Sequence, residues 1–170
     1  MHFLSRYKAA LAVIAAAFVF MLTGCAQDSG LFAYTEGAAQ FTLVFTSVSG
    51  DTDEIRAACQ RDETGNTTLT VTEPARLAGF TVTCTETVTS AVMGDTVIPL
   101  SPDAAQGLTV IFDALSTPGT PVKSADGTCT VIDTGAGTVT LDETMKPVAV
   151  DTGEVAVEVE GWQMGTQNAE

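Results

Sequence analysis

Phe80-Thr81-Val82-Thr83-Cys84-Thr85-Glu86-Thr87-Val88 decides the fold class. Its even positions are Phe80, Val82, Cys84 and Val88, broken only by Glu86, and every odd position is threonine. A period of two sends alternate side chains to opposite faces of an extended chain. One face here is greasy and the other carries hydroxyls, the pattern of an antiparallel sheet with one side in water. The spacing predicts a single strand over 80–88.

Working back, Leu69 and Val71 alternate with Thr68, Thr70 and Thr72, and Phe41, Leu43 and Phe45 alternate with Thr42, Val44 and Thr46. Strands are expected over 41–48, 55–61 and 67–72, joined by Ser49-Gly50-Asp51 and Thr64-Gly65-Asn66 as a meander. Pro74 opens a short helical turn over 75–78 that Gly79 stops. Working forward, Gly94-Asp95 turns the chain into an extended piece ending at Pro99. Ser101-Pro102-Asp103 then supplies a capping hydroxyl, a proline that needs no amide partner, and an acid at the positive helix end. Ala104, Leu108, Ile111, Phe112 and Leu115 follow on one face of an amphipathic helix. Further strands are expected over 128–133, 137–142, 147–150 and 155–160, about seven to nine in all. No repeat of 20–50 residues marks a solenoid or propeller.

The N-terminus has a separate logic. Arg6 and Lys8 precede an uncharged run from 9 to 22, the layout of a secretory signal. Leu22-Thr23-Gly24-Cys25 closes it and resembles the lipobox of bacterial lipoproteins. That resemblance implies cleavage between Gly24 and Cys25, a diacylglyceryl thioether on Cys25, and a membrane anchor outside the cytoplasm. The expected organisation is a signal at 1–24, a lipid-anchored tether at 25–40, one β-rich domain at 41–162 and a frayed tail at 163–170.

The chain has 21 acidic and seven basic residues, a formal net charge of −14. None of the acids precedes residue 25, so loss of Arg6 and Lys8 leaves five basic against 21 acidic groups, or −16. Such a chain is repelled by nucleic-acid phosphates and by anionic headgroups. With Cys25 committed to lipid, Cys59, Cys84 and Cys129 remain. One bridge with a spare thiol and three reduced thiols both fit, and a bridge, if formed, joins Cys59 to Cys84. Each lies on an apolar parity, which favours buried small hydrophobes for at least two of them.

Two stretches, Glu73-Pro74-Ala75-Arg76-Leu77-Ala78-Gly79-Phe80 and Asp95-Thr96-Val97-Ile98-Pro99-Leu100 running into the helix, together with the lipobox, resemble the LolA/LolB-like and LppX/LprG-like lipoprotein-carrier superfamily. The resemblance covers roughly residues 40–161 and implies a strongly curved antiparallel sheet, a half-open barrel whose apolar concave face is closed by helices and receives acyl chains. The expected fold is therefore α+β, a curved sheet packed by one main helix and a short helical turn.

The chemistry-bearing residues are few. The single histidine is His2, so the remainder lacks any His-dependent triad or metal site. No glycine-rich loop ends in lysine. Asp51, Asp53 and Glu54 lack the spacing of a calcium loop and read as a solvated turn. No catalytic residue, metal or cofactor is expected. The leading expectation is non-catalytic binding of an apolar ligand such as a lipid tail, with Leu108, Ile111 and Phe112 facing Phe45, Leu69, Phe80 and Val82 across a cleft. The alternative is an envelope module with a filled core that docks on a protein partner. Trp162 reads as a cover over the sheet's mouth.

Overall fold

Antiparallel pairing carries the alternation of the sequence into space. The computed structural model describes residues 30–46, 54–123 and 129–165, and the residues from Ala33 onward form one compact unit. The expected signal, its cleavage point at Gly24, Cys25 and the turn at 49–51 lie outside the described residues. Eleven strands form one sheet: β1 (Ala39–Phe45), β2 (Ile55–Arg61), β3 (Thr67–Glu73), β4 (Thr81–Cys84), β5 (Thr89–Met93), β6 (Thr96–Pro99), β7 (Thr120–Lys123), β8 (Thr130–Asp133), β9 (Thr138–Leu141), β10 (Pro147–Asp151) and β11 (Ala156–Met164). One helix, α1 (Pro102–Ser116), lies between β6 and β7 in the chain.

The order across the sheet is β6-β5-β4-β3-β2-β1-β11-β10-β9-β8-β7. The chain starts at the centre, zigzags to one edge, crosses by α1 to the other edge, and zigzags back until β11 pairs with β1. Ten strand intervals would span roughly 48 Å if flat. From Pro99 to Thr120 the chain reaches roughly 45 Å at most, and it must also climb about 10 Å onto the sheet and down again. The sheet therefore curves, and it remains open, with β6 and β7 unpaired to each other.

The registers put Leu43, Ala57, Leu69, Val82 and Ala91 on one face of the first wing, and Val157, Val150, Val139 and Ile132 on the same face of the second. All nine are buried, so this inner face holds the core. The outer face carries the threonine rows, with Thr68 opposite Thr83 and Thr70 opposite Thr81. α1 covers the inner face. Its start follows the expectation: Pro102 occupies the first turn, and the Ser101 Oγ accepts from the Ala104 amide at 3.3 Å.

Three boundaries differ from the sequence reading. The stretch 80–88 is not one strand, because Thr85 makes a turn whose hydroxyl donates to the Val88 carbonyl and accepts from the Val88 amide. Threonine's short hydroxyl competes with the ladder for backbone groups, and the chain reverses there. With β4 and β5 separate and β7 added, the count among the described residues is eleven and not seven to nine. Second, the expected tether runs into the fold: Tyr34, in a 3₁₀ turn over Ala33–Thr35, is buried, and β1 begins at Ala39. Third, the tail is paired through Met164, and the Gly165 amide donates to the Ala38 carbonyl at 2.7 Å. The expected short helical turn after Pro74 is present as successive hydrogen-bonded turns over residues 74–79.

What fixes the end of α1 is Arg61. It extends the apolar parity of Ala57 and Cys59 and is buried at 3% exposure, and among the described residues it forms no ion pair. Its guanidinium donates to the carbonyls of Leu115, Tyr34 and Gly37 at 2.9, 2.7 and 3.0 Å, and it lies 5.5 Å over the Trp162 ring. The Leu115 carbonyl belongs to the negative end of the helix, which receives a cation well. Trp162 stacks on Phe41 at 4.6 Å and meets Tyr34 edge-on, so it covers the core as expected. One fork of donors thus joins β2, the 3₁₀ turn, the helix end and β11.

Candidate functional site

α1 does not cover the two wings equally. It packs on β9, β10 and the 3₁₀ turn, and it buries Ile111, Ala114 and Leu115. The opposite flank of the helix faces the ends of β3, β4 and β5 across an open cleft of about 800 Å³. On the helix side the cleft is bordered by Ala105, Thr109, Val110 and Phe112, and on the sheet side by Thr67, Cys84 and Thr89. Two loops, 64–65 and 85–88, and the half-buried Leu100 complete the wall. Val88 stands at the lip, 56% exposed.

Of the expected ligand residues, the structure brings Phe112 alone to this cleft. Ile111, one position earlier, is 1% exposed and belongs to the closed core. Leu69 and Val82 are buried on the inner face, while Phe45, Phe80 and Leu108 are half-buried, and none of these lines the cleft. The helix turns about 100° between successive residues, so Ile111 and Phe112 serve different neighbours. Sequence reasoning missed Val88, Leu100 and Val110, and the threonines of the two loops.

The thiols have structural parts. Cys59 and Cys84 are buried and not joined to each other, and Cys129 is exposed outside the strands, against the expected parity. Burial pushes the Cys59 thiol up to about 12. Burial also raises Cys84, on the cleft floor, and the negative charge of Asp113 adds to the effect. Neither is a ready nucleophile, since reactivity needs the thiolate. Tyr34, likewise raised to about 12 by burial, has a hydroxyl without a hydrogen-bond partner among the described residues. A second, smaller groove of about 390 Å³ lies where Gly161 opens the β1–β11 pairing, lined on the outer face by Gln40, Gln60 and Gln163.

Among the described residues no group of three or more His, Cys, Asp or Glu side chains could hold a metal ion. Among them, too, no helix is long and apolar enough to cross a membrane.

No protein-family model matches the chain. No curated protein matches its sequence. Among solved structures it is similar to a LolA superfamily protein from Nitrosomonas europaea, with a TM-score of 0.43 and 9% identity over 82% of this chain and 91% of that one.

Proposed function

We propose that this is a non-catalytic cell-envelope lipoprotein, anchored through Cys25 outside the cytoplasm, that holds the apolar tail of a ligand such as a lipid between α1 and the first wing. The supporting observation is the cleft. Its volume lies in the range of small-molecule sites, and Val88, Leu100 and Val110, none of them fully buried, line it together with the buried Phe112. The lipobox resemblance of Leu22-Thr23-Gly24-Cys25 supports the anchor.

Native mass spectrometry of the full chain after mild extraction tests the binding: a retained lipid is expected, and it should be lost in Val88→Glu and Val110→Glu, positions that are not fully buried. A chain that carries nothing, with both variants behaving alike, overturns it. Radiolabelled palmitate should enter the chain but not Cys25→Ser. A second reading, a protein-docking module, draws on edge strand β6, where Val97 and Ile98 are exposed. Val97→Lys would abolish co-purification of a partner while leaving bound lipid in place.

A further inference from the structure

We propose that the cleft beside Phe112 selects amphiphiles with a cationic head over anionic ones. The inference rests on the apolar-ligand reading above and adds the chemistry of the head group. Three carboxylates border the cleft: Asp103 on the first turn of α1, Asp113 near its end, and Glu86 in the turn between β4 and β5. Among the described residues no lysine, arginine or histidine lines it. Among the described residues the ion pairs are those of Arg56 with Glu54 and Glu160, so the three cleft acids have no basic partner.

Two further features narrow the class of ligand. The positive end of α1 opens on the same cleft and would otherwise receive an anion, but Asp103 and the Ser101 cap already answer it. The acids also do not converge into a metal-binding group, so their charge is spread along the walls. Spread charge matches a broad organic ammonium better than a compact divalent ion, which needs six or more converging oxygens. Thr64, Thr109 and Ser116 also line the cleft and add hydroxyls to it. A tail against Val88, Leu100 and Val110, with its ammonium in the field of Glu86, Asp103 and Asp113, matches both halves of the lining.

The test uses the purified full chain with phosphatidylcholine vesicles and two photoreactive probes that share one diazirine-bearing C12 chain, one ending in trimethylammonium and one in phosphate. Labelling at Val88, Leu100, Val110 and Phe112 is read by peptide mass spectrometry. Because exposed charge pairs are individually weak, the expected preference for the ammonium probe is about tenfold at low salt, shrinking as salt screens it. It should vanish in the Glu86→Gln, Asp103→Asn, Asp113→Asn triple variant. It should persist in Glu143→Gln, Glu154→Gln, Glu158→Gln, which removes equal charge from exposed sites away from the cleft. Equal labelling of the cleft by both probes overturns the charge selection and leaves apolar binding standing. Loss of preference in the distant triple variant overturns it too, assigning the effect to net charge. No cleft labelling by either probe overturns the binding reading and this inference with it.

Discussion

The loops at 62–66 and 142–146 are nearly the same object in two surroundings. Both begin Asp-Glu-Thr. In each, the first aspartate accepts from the amide and hydroxyl of the threonine and from the amide four residues on. In each, the fourth residue has a left-handed backbone, Gly65 in one and Met145 in the other. Yet the first loop, at the β2–β3 end of the open wing, borders the cleft, while the second joins β9 to β10 beneath the helix-packed wing. Equal local chemistry does not make equal sites. What separates them is where α1 rests its weight.

The sharpest way to break that comparison is to cut equal amounts from the two wings. Leu141→Ala, at a fully buried position of the helix-packed wing, should lower unfolding free energy by about 3 kcal/mol. Ile98→Ala, half exposed on edge strand β6, should cost less than about 0.5 kcal/mol. Urea melts decide, and similar losses would mean that the wings are equally supported. Next comes the latch. Arg61→Met leaves the Leu115 and Tyr34 carbonyls without their donor and should cost about 2 kcal/mol, with a red shift of Trp162 emission as the ring loses its cover. An unchanged melt and spectrum would detach the helix end from β2.

The loops themselves give smaller effects. Met145→Gly should stabilise by roughly 1 kcal/mol, because a side chain is strained at positive φ, and Gly65→Ala should destabilise by a similar amount. The smallest effect is on pH. Hydrogen bonds from Thr64 and Asn66 lower the Asp62 pKa, and the Lys146 amide and Thr144 hydroxyl lower that of Asp142. Each loop's contribution is therefore complete above the ordinary carboxylate value of about 3.9 and lost as pH falls through the depressed one. Asp62→Asn and Asp142→Asn should flatten the acid limb of stability equally, and unequal flattening would show that the surroundings reach into the loops.

The sheet and helix were legible because period two and the Ser101-Pro102-Asp103 start are local signals. The break at 85–88 was marked only by Glu86, the one charged residue on the apolar parity, because Thr85 and Thr87 continue the other face and the turn is made by a hydroxyl-to-backbone bond. β7 was hidden by Pro118-Gly119-Thr120-Pro121, which reads as a stop, although edge strands tolerate proline. Phe112 was legible as an apolar helix residue, but its separation from Ile111 depends on which wing the helix leans against. Arg61 had left a signal, a cation two residues beyond Cys59 on the greasy parity. The cleft's far wall comes from loops, and Thr85 and Thr87 of one of them carry the period of a strand's wet face, which hid their place in the wall.

Of the ten strand pairings, nine join neighbours along the chain, and the seam between β1 and β11 alone spans almost the whole domain. Each hairpin ladder can zip from its own turns at small entropic cost, whereas the seam must wait for a loop of more than a hundred residues to close. Assembly is thus limited at the middle of the sheet, and a substitution such as Leu43→Ala there should slow refolding more than an equally buried one farther out on a ladder.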